Sequence, residues 1–208
     1  MPNEKGLLIN FEGIDKCGKT TQVNLLQEKL IELKVPTVLY REPGSTNISE
    51  QVRRILLSRE HKSMDYFCEA LLYSAARAQL VAEKIIPALA EGKAVLLDRY
   101  YHSSLAYQGY GRGVPLDLIW KMTEALVRDC QPDLTIVLDI SPEEASKRRD
   151  LAGRDRLEMS SIKFFQAVRQ GYLELAKNDG KIKVIEGILP VEEIGARIWE
   201  EVRRIKDK

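Results

Sequence analysis

The 208-residue sequence contains few cysteines and almost no net charge. Cys17, Cys68 and Cys130 are too few and too widely spaced for a disulfide framework or a metal site, and their odd number is typical of a reducing compartment. The 32 basic side chains balance 31 acidic ones, which argues against a protein that binds nucleic acid or a membrane surface through a general excess of positive charge. Local basic clusters are compatible with this balance.

The sequence also lacks long hydrophobic runs. No apolar stretch reaches the roughly 18 residues that a membrane-spanning helix needs. Glu4 and Lys5 interrupt the start of the chain, which therefore does not look like a secretory signal. We expect a cytoplasmic protein with neither a membrane nor a nucleic-acid partner. With 44% hydrophobic and 30% charged residues, the composition is that of an ordinary globular protein, and the length predicts a single domain over residues 1–208.

Short apolar runs alternate with amphipathic segments along the chain. The runs predict strands at 6–12, 36–41, 94–98, 134–139 and 181–186. Apolar residues at helical spacing predict helices over 19–34, 48–58, 66–91 and 191–208. Because strands separated by helices form βαβ units, this order predicts an α/β fold: a parallel β-sheet of about five strands covered by helices on both faces. The segment 147–156 (KRRDLAGRDR) is dense in charge and is interpreted as a charged insert.

A glycine-rich motif lies between the first predicted strand and the first predicted helix. The sequence GIDKCGKT matches G-x-x-x-x-G-K-[ST], a pattern that in this context binds the phosphates of a nucleoside triphosphate. Glycines let backbone N–H groups surround an anion, and the helix N-terminus adds partial positive charge. We expect Lys19 to reach the β- and γ-phosphates and the Thr20 hydroxyl to bind Mg²⁺. The predicted triphosphate-binding residues are Gly13, Ile14, Asp15, Lys16, Cys17, Gly18, Lys19, Thr20 and Thr21.

The phosphate-binding motif does not identify the acceptor, so other segments must supply it. Two predicted strands end in aspartate, Asp98 and Asp139, where a carboxylate can hold Mg²⁺ directly or through water. After Asp98, four of the eight tyrosines fall within eleven residues. Aromatic rings with nearby hydroxyl and amide groups are typical of a nucleoside pocket, and a loop packed by tyrosines for stability is the alternative. The polar residues of this segment are Ser103, Ser104 and Gln108.

Two further pairs of residues are candidates for contact with the acceptor. Tyr73 and Arg77 are four residues apart on a predicted helix and share a face, where an aromatic plane and a guanidinium can stack on a base and donate to its carbonyl. A surface cation–π pair is the alternative. Arg41 and Arg53 flank a Glu-Pro-Gly turn and are candidates for binding a phosphate, with simple solvation as the alternative.

Taken together, these segments resemble the thymidylate kinase family of P-loop nucleoside monophosphate kinases. The resemblance runs from about Gly6 to the final helix and is carried by EGIDKCGKTT, REPGST, LLYSAAR, DRYYHSSLAYQGYGRG and PDLTIVLD. It implies the P-loop NTPase architecture with a LID segment at about 147–158. It also implies transfer of the γ-phosphoryl group of Mg-ATP to dTMP, giving dTDP and ADP, by a homodimer packed through helices.

The resemblance implies roles for particular positions. Asp15 would receive the sugar 3′-hydroxyl and help to organise Mg²⁺, and Arg99 would hold the acceptor phosphate near the transferring group. Tyr73 takes the place of the aromatic residue that stacks on thymine, and Tyr107 that of the one that excludes a ribose hydroxyl. Arg77 would bond the base, and Ser104 and Gln108 match base-contacting positions. The implied dTMP-binding residues are Asp15, Arg41, Pro43, Arg53, Tyr73, Arg77, Arg99, Ser103, Ser104, Tyr107 and Gln108.

The cation that stabilises the transition state is left open by the resemblance. Some relatives carry an arginine in the phosphate-binding loop where this chain has Lys16, and others carry it in the LID segment. Because lysine lacks the bidentate fork of arginine, we favour Arg154 first and Arg149 second. The predicted metal-binding residues are Thr20 and Asp98. His61 and His102 are expected to be ordinary surface residues, since an anionic acceptor phosphate needs no general base.

Two other functions are weighed against this one. A deoxynucleoside kinase also has a phosphate-binding loop and an Asp-Arg pair after a strand, but its uncharged acceptor has less use for Arg41 and Arg53. A non-catalytic nucleotide-binding module is the other alternative, and the presence of Lys19, Asp98 and Arg99 argues against lost chemistry.

Overall fold

The computed structural model describes residues 6–127, 129–148 and 155–206. Within these ranges the chain alternates between strands and helices. The strands are β1 (Leu8–Glu12), β2 (Thr37–Arg41), β3 (Ala94–Asp98), β4 (Leu134–Asp139) and β5 (Ile182–Glu186). The helices are α1 (Lys19–Glu32), α2 (Asn47–Leu57), α3 (Tyr66–Leu80), α4 (Ile86–Ala90), α5 (Tyr101–Ser104), α6 (Leu116–Val127), α7 (Pro142–Lys147), α8 (Ile162–Asn178) and α9 (Val191–Lys206), with π-helical segments at Val81–Ile85 and Leu105–Gly111.

The five strands of the described ranges form one parallel sheet in the order β2-β3-β1-β4-β5. The chain leaves β1 toward β2 on one side and leaves β4 toward β5 on the other, so the direction of winding reverses between these neighbouring strands. In open α/β sheets, ligands bind in the crevice at such a reversal, outside the carboxyl ends of the strands. The sheet confirms the predicted α/β fold and places the phosphate-binding motif, which follows β1, at this crevice.

Helices cover both faces of the sheet, as the apolar strands predict. Ile9 and Phe11 lie in one hydrophobic cluster with residues of α1, α8 and α9, whereas Leu8 and Leu97 lie in a second cluster with residues of α3 and α6. β1 is buried along its whole length: its apolar side chains enter the two clusters, and Asn10 and Glu12 are buried polar residues. A buried central strand fixes the position of the loop that follows it.

The helix predicted over 66–91 is interrupted in the structure. It consists of α3, a π-helical turn and α4 in direct succession. Pro87 has no backbone N–H to donate, and the N–H group before it, on Ile86, bonds to the carbonyl oxygen of Val81 in the wider π pattern. Among the residues that the structure describes, no helix is long and apolar enough to cross a membrane.

Candidate active site

The loop between β1 and α1 is shaped by glycines in left-handed conformations. Gly13 has φ +131°, and a Cβ there would lie 2.4 Å from the carbonyl oxygen of Leu138 and 2.8 Å from Cys17 Sγ. Only glycine therefore fits at this position. Gly18, with φ +99°, is the N-cap of α1 and has no side chain to cap the first turn. The N–H groups of that turn are thus available to an anion.

Lys19, Thr20 and Asp98 lie together at the start of α1 and the end of β3. Lys19 Nζ donates to the carbonyl oxygens of Gly13 and Ile14 at 3.0 and 3.1 Å, so the ammonium group spans the loop. Thr20 Oγ1 donates to Asp98 Oδ2 at 2.9 Å. The hydroxyl and carboxylate oxygens of this pair are the hard ligands that Mg²⁺ prefers.

Two protein ligands would be enough to hold Mg²⁺ at this position. Within the described ranges there is no group of three His, Cys, Asp or Glu residues that could hold a metal ion. Mg²⁺ does not need such a group, because it usually keeps several waters and binds one or two carboxylates together with substrate phosphates. The other predicted candidate, Asp139, is bound by Arg169, whose Nε and second guanidinium nitrogen donate to it at 2.6 and 2.7 Å.

A cavity of about 590 Å³ opens against this loop. It lies within the size range of about 300–1,000 Å³ that is typical of small-molecule sites. Most of the predicted side chains line it, from both the triphosphate set and the acceptor set. They are Asp15, Lys16, Gly18, Lys19, Thr20, Thr21, Arg41, Pro43, Arg53, Tyr73, Asp98, Arg99, Ser103, Tyr107 and Gln108. The two sets, which come from distant parts of the sequence, therefore meet in one cavity.

Arg99 connects the phosphate-binding loop to the tyrosine-rich segment. Its guanidinium donates to Asp15 Oδ1 at 2.6 Å, to the carbonyl oxygen of Gly13 at 3.0 Å and to the Tyr107 hydroxyl at 3.1 Å. Tyr107 in turn donates to Asp15 Oδ2 at 2.9 Å, and burial raises the pKa of this tyrosine well above its usual value, which keeps the donor proton in place. The three side chains form a closed ring of contacts between the two halves of the cavity.

A buried glutamate that the sequence analysis did not select lies behind Arg99. Glu12 accepts hydrogen bonds from the Tyr100 N–H at 2.8 Å, Ser103 Oγ at 2.7 Å and the Tyr172 hydroxyl at 2.8 Å. Its Oε2 lies 4.0 Å from Arg99, and Tyr172 also accepts from Arg99 at 3.2 Å. The available signal was a charged residue at the end of a strand with a mainly apolar sequence, because a buried charge persists only with partners.

Arg77 and Ser104, two of the predicted base contacts, lie behind the cavity wall. The Arg77 side chain is 1% exposed, donates to Ser104 Oγ at 2.8 Å and forms a buried ion pair with Glu42. Burial raises the pKa of Glu42 to about 7, and the neighbouring Arg77 charge acts in the opposite direction. Glu42 lines the cavity, whereas Arg77 and Ser104 do not. A hydrogen bond from Arg77 to a base therefore stays a prediction.

Arg41 and Arg53 bring positive charge to one wall of the cavity. Arg41 forms an ion pair with Glu50 at 3.0 Å, and Arg53 donates to the carbonyl oxygen of Pro43 at 2.9 Å. Pro43 follows a cis peptide bond in the turn after β2. Tyr73 lies on the same cavity, and burial raises the pKa of its hydroxyl. An anionic group with an attached ring fits this combination of charges and aromatic surface.

The LID segment predicted at 147–158 is described only at its two ends. Arg149 and Arg154 lie outside the described residues. Arg148 lines the cavity and donates to the carbonyl oxygen of Gly187 at 3.3 Å. The sequence analysis missed this residue, although it belongs to the same basic run. At the other end, Arg156 is buried and forms an ion pair with Glu69 at 2.6 Å.

The two histidines differ in their surroundings. His61 is exposed, as expected. The prediction for His102 is wrong: its side chain is buried and stacks on Tyr101 with 4.1 Å between ring centroids, and Asn10 Nδ2 lies 3.3 Å from its Nδ1. Burial lowers the pKa of His102 to about 3, so the ring is neutral. The four-residue helix α5 that carries it is too short for hydrophobic periodicity to indicate which face is buried.

Three comparisons with known proteins agree. A family model described as thymidylate kinase matches residues 11–198. A thymidylate kinase of Thermoanaerobacter sp. (strain X514) is 45% identical over 201 residues, which cover 96% of this chain and 98% of that protein, and one of Symbiobacterium thermophilum is 43% identical over 203 residues, 97% of this chain and 93% of that protein. The crystal structure of thymidylate kinase from Ehrlichia chaffeensis superimposes with a TM-score of 0.78 at 30% identity, covering 96% of this chain and 99% of that one.

Proposed function

The chain belongs to the thymidylate kinase family, and we propose that its cavity beside the phosphate-binding loop is where it carries out that family's reaction. The protein is an ATP-dependent phosphotransferase that converts dTMP to dTDP and releases ADP. The observation that carries the assignment to this cavity is the set of contacts made by Arg99. This guanidinium bonds to Asp15 of the loop and to Tyr107 of the opposite wall.

The triphosphate of ATP binds at the loop after β1. The uncapped first turn of α1 and the ammonium group of Lys19 supply positive potential where the β- and γ-phosphates lie. Thr20 and Asp98 would hold Mg²⁺, and the ion would neutralise part of the phosphate charge when bound. Lys19 exchanges its two carbonyl contacts for phosphate oxygens when the nucleotide enters.

The acceptor dTMP binds in the other half of the cavity. Arg41 and Arg53 receive its phosphate, and the ring of Tyr73 stacks on thymine. Asp15 accepts the sugar 3′-hydroxyl, and the ring of Tyr107 crowds the C2′ position against a ribose hydroxyl. Arg99 holds the acceptor phosphate near the γ-phosphate, because its guanidinium also donates to the carbonyl oxygen of Gly13 in the phosphate-binding loop at 3.0 Å.

The transfer itself needs positioning and charge neutralisation rather than acid–base chemistry. The acceptor phosphate is already anionic near neutral pH, so a phosphate oxygen attacks the γ-phosphorus directly and the bond to the ADP oxygen breaks. Lys19 and Arg99 approach the oxygens on which charge develops. A LID arginine, Arg154 first and Arg149 second, adds the remaining charge, with Lys16 as the alternative.

The protein acts as a homodimer packed through helices. Support comes from α2 and α3, which pack together and expose large apolar side chains on their outer surface. Phe67 and Leu71 of α3 are 41% and 45% exposed, and Ile48 and Ile55 of α2 are 53% and 43% exposed. Apolar residues grouped in this way mark protein–protein contacts. Sedimentation of the purified protein at micromolar concentration checks the proposal, with a monomer as the contrary result.

The reaction takes place in the cytoplasm. Support comes from the small number and wide spacing of the cysteines and from the place of Cys17 in the nucleotide-binding loop, where its Sγ lies 3.6 Å from Lys19 Nζ. Scattered thiols, one of them in the nucleotide-binding loop, suit a reducing compartment.

Release of ADP from Mg-ATP tests the function when dTMP, dUMP, dCMP, dAMP, dGMP and thymidine are offered separately. We expect dTMP to be the best acceptor and dUMP a weaker one, because the thymine methyl contributes only about 1–3 kcal/mol to discrimination. Turnover with thymidine but not with dTMP would indicate a nucleoside kinase. Turnover with none of these acceptors would contradict the assignment of the acceptor half of the cavity.

A further inference from the structure

A buried carboxylate lies directly behind the part of the acceptor site that faces the base. Glu69 of α3 is fully buried, and its Oε1 accepts a hydrogen bond from Gln108 Nε2 at 2.9 Å. Gln108 lines the cavity, whereas Glu69 does not. The same carboxylate faces two guanidinium groups, with Arg156 at 2.6 Å from Oε2 and Arg112 at 3.5 Å from Oε1. Glu69 therefore contacts one amide from the site and two cations from outside it.

These contacts determine which end of the Gln108 amide is available to a ligand. A carboxylate between two guanidinium groups accepts hydrogen bonds and does not donate them. The amide must therefore direct its NH₂ group at Glu69, and its carbonyl oxygen is the atom left for the cavity. A carbonyl oxygen in this position accepts a hydrogen bond from a base.

Thymine and cytosine differ in the atom that would meet this oxygen. The ring nitrogen N3 of thymine carries a hydrogen, whereas N3 of cytosine is an acceptor with no hydrogen. A fixed carbonyl oxygen thus accepts a hydrogen bond from N3–H of thymine but faces the lone pair on N3 of cytosine. Because a buried polar group without its partner costs binding free energy, this contact discriminates strongly between the two bases.

We propose that Glu69 is a positioning residue for base selection, which holds the Gln108 amide with its oxygen toward the acceptor and thereby favours a pyrimidine with N–H at position 3. The inference rests on the proposed place of Gln108 in the dTMP site. It goes beyond the family's reaction, because Glu69 touches neither substrate and acts only through the amide.

The two arginines make the Glu69→Gln substitution a directed test. The new amide has one oxygen and one NH₂ group, and Arg156 is its closest neighbour, at 2.6 Å. The oxygen of the new amide therefore turns toward Arg156, because an NH₂ group there would face a cationic donor. The NH₂ group of the new amide then points at Gln108. The Gln108 amide must turn over to accept this hydrogen bond through its oxygen, and its own NH₂ group then faces the base. The reversed amide pairs with cytosine N3.

The experiment compares kcat/KM for three acceptors with saturating Mg-ATP. The acceptors dTMP and 5-methyl-dCMP differ only at N3 and C4, whereas dTMP and dUMP differ only in the methyl group. We expect Glu69→Gln to lower the preference for dTMP over 5-methyl-dCMP by about tenfold or more, since one favourable hydrogen bond becomes an opposed one. The preference for dTMP over dUMP should stay within about twofold of its original value. A parallel fall in both preferences would mean general loosening and would overturn the proposal.

Arg156→Lys is the matched control. It alters the same buried contact but keeps a cation beside Glu69, so Glu69 stays an acceptor and the preference for dTMP over 5-methyl-dCMP should not change. Glu69→Asp, which retains the charge, gives a second result if Glu69→Gln does not fold. The shorter side chain moves the carboxylate away from Gln108 by one methylene, so that the Gln108 amide can adopt either orientation. We expect the preference for dTMP over 5-methyl-dCMP to fall about threefold. An unchanged preference in this variant would contradict the proposal.

Gln108→Leu separates the inference from the proposed function. This variant should by itself lower the preference for dTMP over 5-methyl-dCMP, and adding Glu69→Gln to it should have no further effect on that preference. If Gln108→Leu lowers the preference and Glu69→Gln does not, the role of Glu69 is wrong and the acceptor site stands. If Gln108→Leu has no effect, the place of Gln108 in the site is wrong, and the inference falls with it. If the unaltered protein does not phosphorylate dTMP, the proposed function fails instead.

Discussion

At the scale of single residues, Arg99 is held by contacts that leave its guanidinium little freedom. Its backbone has φ +75°, a left-handed conformation that is uncommon outside glycine and is found where the surrounding structure enforces it. Asp15 and Tyr107 hold one side of the guanidinium, and Tyr172 contacts the other. A cation that is fixed before the substrates bind needs little reorganisation when charge develops on the transferring phosphate.

The buried His102 leads to a prediction about stability and pH. Its pKa is about 3 in the folded protein against 6.5 for an exposed histidine. Below pH 6.5 the unfolded chain takes up a proton that the folded protein does not, so the stability from this group is complete above pH 6.5 and is lost as the pH falls toward 3. Between pH 7 and pH 4, we expect the His102→Phe variant to lose about 3 kcal/mol less of its free energy of unfolding than the unaltered protein.

Urea unfolding at the two pH values measures this difference. Phenylalanine keeps a ring against Tyr101, so the comparison isolates the titration. His61→Phe, which makes the same substitution at an exposed position, is the control for the change of residue type. Equal declines in the His102→Phe variant and the unaltered protein would show that His102 takes up a proton while folded.

Residues that follow an element with a clear pattern could be predicted from the sequence, and residues that act through a network could not. Lys19 and Asp98 follow directly from a motif or from the end of an apolar strand, and Arg99 follows from the resemblance to the family. Glu12 and Glu69 do not, because their importance lies in partners as distant in sequence as Tyr172 and Arg156. A buried carboxylate can be recognised only when the groups that compensate its charge are known.

At the scale of secondary-structure elements, the strands were more predictable than the helices around the site. The predicted strands at 94–98 and 134–139 have the observed bounds, because strands buried on both faces are continuous apolar runs that end where the chain leaves the sheet. We made no prediction for α5, α6, α7 or α8. Of these, α5 and α7 are shorter than two helical turns, and α8 supplies the Tyr172 hydroxyl that completes the contacts around Arg99.

The LID segment leads to a prediction about the cation that stabilises the transition state. Arginine spreads its charge over a planar fork that matches phosphate oxygens, whereas the ammonium group of Lys16 is a point charge. We therefore expect Arg154→Ala to lower kcat by about 100-fold or more, with a smaller loss for Lys16→Ala. Steady-state kinetics at saturating Mg-ATP and dTMP measures both losses.

Lys16 is the relevant comparison because it is exposed on the loop and lines the cavity. Arg197→Ala is a suitable control, since this arginine pairs with Glu193 on the exposed surface of α9 and should leave kcat unchanged. A greater loss for Lys16→Ala than for Arg154→Ala would place the catalytic cation in the phosphate-binding loop.

At the scale of the whole molecule, the order of the strands places the residues that we propose for the two substrates side by side. The phosphate-binding loop follows β1, and the segment with Arg99 and Tyr107 follows β3, its neighbour in the sheet. The turn with Pro43 follows β2, which pairs with the other edge of β3, so that Arg41 lies beside Asp98. Three adjacent strands thus bring the proposed donor site, Arg99 and the proposed acceptor site to the carboxyl end of the sheet.

This arrangement requires that both substrates occupy the single cavity of about 590 Å³ at the same time. A compound in which adenosine and thymidine are joined at their 5′ positions through five phosphates tests the requirement directly, because it spans both sites without reacting. In titration calorimetry with Mg²⁺, the account predicts one molecule bound per chain, more tightly than either ATP or dTMP alone, and competition with both. Binding of dTMP that persists when the protein is saturated with this compound would contradict the account, because the acceptor would then lie outside the cavity.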